Sequence, residues 1–252
     1  SGMISVAPLT KSKNFSGTPV LFDFFLPERW RRTQRRQLSE TNETFFTRTK
    51  DNINLVWKVS RVGEQPDADP LTEEGARLIE FGYNSPFEEF AMALDLAACG
   101  VPTTYPRAIY MCGIESARPA DYSPDPSRYD SHRTLRTTDG RPLLSTEHNY
   151  LTVWGYWNGV DEVLAANDEP YCEGINLLQA WKSGFITAED MRALMDAVQA
   201  RIRTKGFAYV DLKPTHFVLS LRPDNTLIRE ADGAPAVRLC NFESLRRLSE
   251  PS

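Results

Sequence analysis

Residues 188–205 read as one amphipathic helix that hands the chain almost directly to the turn Asp211-Leu212-Lys213-Pro214, and this junction restricts the fold more than any other stretch. Thr187 can cap the helix. Glu189 and Asp190 sit in its first turn, where the helix dipole favours acid, and Lys205 lies in its last turn with Gly206 after it. Met191, Leu194, Val198 and Ile202 repeat as one apolar stripe. The turn is followed by the apolar run Phe217-Val218-Leu219, so a carboxylate and an amine two residues apart are presented between a helix and a strand. An ordinary helix-to-hairpin turn and a catalytic loop both satisfy this pattern.

The first half has a different grammar. Residues 44–50 and 53–62 read as two strands joined by an Asp51-Asn52 hairpin turn. In the second of them Lys58 shares a face with Val56, which puts an amine in apolar company. Residues 63–72 read as a loop. A helix then starts at Ser85, with Pro86 at its first position and Glu88 completing an S-x-x-E capping box. Phe87, Phe90, Ala91, Leu94 and Ala98 follow at helical spacing before Gly100. Residues 107–114 and 150–157 read as strands, 116–146 as an insertion or mobile loop, and 174–183 as a short helix. Residues 222–226 and 232–235 read as turns of an enlarged hairpin ahead of an apolar strand at 236–240.

Composition narrows the class. With 252 residues, 41% hydrophobic and 25% charged, the chain can bury one large core or two lobes around a cleft. A net charge of -5 argues against nucleic acid as the main partner. Five arginines between residues 29 and 36 (Arg29, Arg31, Arg32, Arg35, Arg36) fit either a phosphate-binding patch or a solvated face with snorkelling stems. Cys99, Cys112, Cys172 and Cys240 are scattered, without metal-ligand spacing, as expected of reduced thiols in a cytoplasmic chain. No run approaches a membrane span, and the first residues lack a signal-peptide layout.

The order of a strand with an embedded lysine, a helix with acidic residues, two strands, a long helix and then Asp-Leu-Lys-Pro resembles the protein-kinase-like superfamily over residues 45–245. In layout the chain is similar to the small bacterial kinases of lipopolysaccharide core sugars, which end soon after the metal-binding motif. The resemblance implies a bilobal α+β fold. Residues 1–149 would hold a lead-in and an antiparallel N-lobe sheet with one helix and the 116–146 insertion. Residues 150–252 would hold a hinge and a minimal, mainly helical C-lobe. It implies ATP with Mg or Mn as cofactor, Lys58 on the nucleotide phosphates, and Glu89 or Glu88 as its carboxylate partner. Asp211 would be the base at the acceptor hydroxyl, and Lys213 would steady the transferring phosphoryl group.

Two parts of the pattern are altered. His216 stands where the resemblance implies a metal-binding asparagine. Asn241, in Asn241-Phe242-Glu243, stands where it implies the metal-binding aspartate, leaving Glu243 as the nearby carboxylate. Magnesium wants hard oxygen ligands including a carboxylate, whereas imidazole suits manganese or zinc better. Before Lys58 the only glycines are Gly2 and Gly17, so no glycine-rich phosphate loop precedes it, and residues 39–44 would have to serve. A degenerate nucleotide site therefore implies a pseudokinase acting as a binding or regulatory module with a protein partner. The alternative is an active phosphotransferase on a sugar, small-molecule or protein hydroxyl. A polyanion binder working through residues 29–36 is a third class. His216, Asn241 and Asp211 are expected to converge in one cleft, facing Lys58.

Overall fold

The structure, a computed structural model, describes residues 3–5 (backbone only), 25–39, 42–66, 68–113, 125–157 and 172–248. Most of the N-terminal lead-in, residues 40 and 41 of the loop before the first hairpin, and residues 116–124 of the insertion lie outside them.

The N-terminal lobe is a six-stranded, wholly antiparallel sheet. Its strands are β1 (Met3–Ser5), β2 (Arg35–Gln37), β3 (Thr44–Arg48), β4 (Asn54–Val59), β5 (Pro106–Gly113) and β6 (His148–Gly155), in the order β1-β5-β6-β4-β3-β2. The β3–β4 turn forms as read. Asn52 takes φ 62°, a left-handed value that asparagine tolerates, and Thr49 N–H bonds the Ile53 carbonyl at 2.8 Å.

Strand alternation divides the sheet into two faces. Leu55, Trp57, Val153, Ala108 and Tyr110 pack outward under Phe25 and Trp30, the latter on the one-turn helix α1 (Pro27–Trp30). Ile109, Tyr150 and Trp154 face the other way, into the core shared with the C-terminal lobe, and Lys58 stands opposite Thr152 of β6 in that layer. The helix of this face is α3 (Pro86–Ala98), with its capping box formed as read: Ser85 Oγ accepts Glu88 N–H and Glu88 accepts Ser85 N–H. A further helix, α2 (Glu73–Phe81), precedes it, capped by Thr72.

In the C-terminal lobe β7 (Glu173–Asn176), α4 (Leu177–Lys182), α5 (Ala188–Arg203), β8 (Phe207–Tyr209), β9 (Phe217–Leu221), β10 (Arg238–Leu239) and β11 (Leu245–Arg247) follow in order. The helices are its longest elements, and the whole is the α+β, kinase-like bilobal fold that the sequence implied. Residues 174–176, expected at the start of a helix, instead belong to strand β7, paired with β9, and Asn176 caps the helix that starts after it. The 222–235 segment is an enlarged hairpin, with Arg222 N–H on Thr226 O and Glu230 N–H on Ala234 O. Asp232-Gly233 is one of its turns.

The second half of the insertion differs from a mobile loop. Tyr129, His132 and Leu144 are buried. Tyr129 meets Tyr150 edge-on and donates to the His148 carbonyl, and His132 Nε2 lies 3.3 Å from Glu88. A Cβ on Gly63, already at φ +80°, would come within 2.5 Å of the Arg128 carbonyl, so this segment also presses on the loop after β4. It straps the start of α3 to the sheet.

Candidate functional site

Lys58 reaches across from β4 to α3, where its Nζ lies 2.6 Å from Glu89 Oε2 in a nearly dry environment. Of the two glutamates offered by the sequence, Glu89 is the partner. Glu88 is spent on the Ser85 cap and His132, which outweigh the effect of burial and hold its carboxyl below the usual range. Burial works against the Lys58 ammonium, but Glu89 and Glu243 outweigh it and raise its pKa. Burial also pushes the Glu89 carboxyl up to about 7, against the pull of Lys58.

The second arm comes from residues 241–243. Phe242 is fully buried and stacks on Trp154, which in turn meets Phe90 of α3, so this short segment is anchored to both lobes. The Asn84 side chain donates to the Phe242 and Leu245 carbonyls, and Asn84 N–H donates to the Glu243 carbonyl, clasping the residues before α3 to the same segment. Glu243 Oε2 lies 3.6 Å from Lys58 and its Oε1 lies 3.9 Å from Arg61. Burial raises the Glu243 pKa, but Lys58 and Arg61 prevail and keep it ionised. Asn241 Oδ1 accepts Glu243 N–H at 3.0 Å and faces Lys58 at 3.5 Å, while its Nδ2 donates to Glu243 Oε1 at 3.2 Å.

The third arm is the turn after α5 and β8. Asp211 is partly exposed and pairs with Lys213 at 2.5 Å. Val210 N–H bonds the Ser244 carbonyl, which holds the turn beside the 241–243 segment. His216 is buried, tilted against Tyr209, with Nδ1 facing Lys213 N–H at 3.4 Å; burial depresses its pKa to about 4, so the ring is neutral. Glu243, Asp211, Lys213 and Lys58 all lie within electrostatic reach of it. Asn241 and Glu243 thus meet Lys58 directly, and His216 lies among Glu243, Asp211, Lys213 and Lys58 in the same neighbourhood.

What converges is not a metal-binding set. A divalent ion beside a nucleotide needs a free carboxylate and further hard oxygen donors. Glu89 and Glu243 are bound to Lys58 and Arg61. Asn241 spends its oxygen on Glu243 and Lys58 and its amide hydrogens on Glu243, and His216 turns Nδ1 to the backbone. Asp211, the partly exposed carboxylate, pairs with Lys213. Among the described residues, no group of three or more His, Cys, Asp or Glu could hold a metal ion. His216, Asn241 and Glu243, expected as metal ligands, meet instead as partners of protein groups, and in this arrangement they do not fit Mg or Mn.

Sequence reasoning passed over Arg61, Asn84 and His132. Arg61, three residues beyond Lys58 on the same chain, was the one with a local signal. Asn84 and His132 owe their roles to contacts far away in sequence.

No family model matches the chain, and no curated protein matches it. A solved structure described as "WaaP in complex with acyl carrier protein" is 15% identical, covering 98% of this chain and 73% of that one, with a TM-score of 0.42. A likeness that distant carries no argument here. The strand order, the Lys58–Glu89 pair and the turn at Asp211 are the features that agree with the kinase-like expectation. No helix among the described residues is long and apolar enough to cross a membrane.

Proposed function

We propose that this chain is a pseudokinase, a kinase-like protein whose nucleotide site is closed by its own side chains and which serves as a cytoplasmic binding or regulatory module for a protein partner. The observation that carries this reading is the ring of contacts joining Glu89, Lys58, Asn241, Glu243 and Arg61. Magnesium-bound ATP would have to break its Asn241 and Glu243 side, because the lysine that should meet the phosphates is turned to these two as well as to Glu89, and the residue that should hold the metal is an amide. Desolvated charges of this kind are costly to uncouple, on the order of several kcal/mol per ion.

A second reading, an active ATP-dependent phosphotransferase on a sugar, small-molecule or protein hydroxyl, is favoured by one observation. Lys58 and Glu89 touch, while Asp211 stays accessible beside Lys213 as a proton acceptor at the acceptor hydroxyl.

The two readings separate in an ATP-turnover assay on purified protein with Mg²⁺ and with Mn²⁺, run beside Asp211→Ala. The pseudokinase reading expects no turnover above the Asp211→Ala background in either metal. Mg²⁺-dependent turnover abolished by Asp211→Ala would replace it with the phosphotransferase.

A further inference from the structure

A concavity of about 250 Å³ opens on the outer face of the N-terminal lobe, lined by Glu28, Arg31, Arg32 and Lys50. It is remote from the cleft. Lys50 precedes the turn that starts β4, whereas Lys58 lies near the other end of that strand and on its opposite face.

The backbone that carries the concavity is tied on two sides. Trp30 is buried against Trp57 and Tyr110 and donates its indole N–H to the Phe25 carbonyl, which pins the turn carrying Arg31 and Arg32. Lys50 N–H bonds the Arg29 carbonyl, and Arg29 pairs with Asp51 at 3.1 Å, so the β3–β4 turn is tied to the same helix.

The other arginines of this stretch have partners. Arg29 holds Asp51, Arg35 lies over Phe45 and Trp57, and Arg36 pairs with Glu173. Among the described residues, Arg31, Arg32 and Lys50 are exposed and meet no ion-pair or side-chain hydrogen-bond partner. Three unpaired cations thus share one hollow with a single carboxylate, in a chain whose net charge is -5. Like charges so placed repel, and an anion seated among them would relieve that repulsion.

From this geometry we infer that the Arg31–Arg32–Lys50 hollow is a binding site for a phosphate group, either on a soluble phosphate ester or on a lipid headgroup. The hollow falls below the roughly 300–1,000 Å³ of sites that enclose drug-sized ligands, so it suits a phosphate head rather than a whole nucleotide. Arginine forks match phosphate oxygens two at a time, and Lys50 adds a point charge. The inference is independent of whether the cleft is catalytic.

The test uses the whole purified chain at constant ionic strength, because exposed charges are screened by salt. Inorganic phosphate and glucose 6-phosphate are titrated against thermal stability and backbone NMR shifts. Phosphatidylcholine vesicles with and without phosphatidic acid are then tested by co-sedimentation. The triple variant Arg31→Ala/Arg32→Ala/Lys50→Ala, confined to exposed side chains, is the comparison, with Arg133→Ala as an exposed control elsewhere.

The expected result is saturable binding of phosphate, in free or lipid form, weakened about tenfold or more by the triple variant and unchanged by Arg133→Ala. Soluble esters binding as well as vesicles would identify a phosphorylated small molecule; tighter binding to phosphatidic-acid vesicles alone would identify a membrane surface. The proposal is overturned by no saturable binding of either form, by equal binding in the triple variant, or by binding of an acidic polypeptide such as polyglutamate with none of phosphate.

Discussion

At position 241 an amide does what a carboxylate could not, since Asn241 donates to the very carboxylate that an aspartate there would repel. Asn241→Asp would set a half-buried carboxylate about a hydrogen bond from the buried Glu243, so it is expected to lower stability by about 1–3 kcal/mol in a denaturant titration with chelator present. Part of that loss should return on adding Mn²⁺, which would leave the wild type unmoved. Lys58→Met removes the cation between Glu89 and Glu243 and is expected to cost about 3–5 kcal/mol. Its partners also shape the pH response. The His216 pKa is depressed to about 4, so the unfolded chain binds the extra proton between pH 4 and 6.5, and this residue's contribution to stability falls as pH drops through that window. The Glu89 pKa is raised to about 7, so the folded chain binds the extra proton between pH 4.5 and 7, and its contribution falls as pH rises. The two slopes oppose each other in the wild type. Relative to it, His216→Asn should shift the stability profile toward acid and Glu89→Gln toward neutral pH, as read from melting temperature between pH 4.5 and 6.5.

Among the elements, α3 decides whether Lys58 has its partner, and α3 is held at its start by the capping box, the Asn84 clasp and residues 125–146. Tyr129→Ala should cost about 3–5 kcal/mol as a buried aromatic truncation, with amide exchange accelerating first at the beginning of α3. Even exchange acceleration across both lobes would contradict the strap. These are the contacts that the sequence hid. The capping box at Ser85 and Glu88, the turn at Asn52 and the stripe on α5 were legible because each is written within a few neighbouring residues. The strand β7 was misread as helix because its ladder partner, β9, lies over forty residues later. The loop-like composition of residues 125–146 likewise concealed Tyr129 and His132, whose burial depends on meeting Tyr150 and Glu88. Within the site, a carboxylate partner for Lys58 was implied by the resemblance, with Glu89 or Glu88 offered and Glu88 already accounted for by the Ser85 cap. The role of Asn241 as a donor to Glu243 was not legible, because it depends on where Lys58 and Arg61 leave that carboxylate.

For the whole molecule, the two lobes are joined by contacts gathered around Lys58 and the 239–243 segment. Phe242 packs on Trp154, Asn241 and Glu243 face Lys58, and Leu239 N–H bonds the Pro102 carbonyl while Thr104 N–H returns to the Leu239 carbonyl. Closure of the cleft by its own charges is the central claim, and a thermal-shift titration of the wild-type chain with ATP plus Mg²⁺ tests it most directly. A ligand at a hundred times its dissociation constant adds about 2.7 kcal/mol of stability. A closed site is expected to give no saturable shift with Mg²⁺-ATP at any concentration in the physiological range. A saturable shift of that size, lost in Lys58→Met, would contradict it.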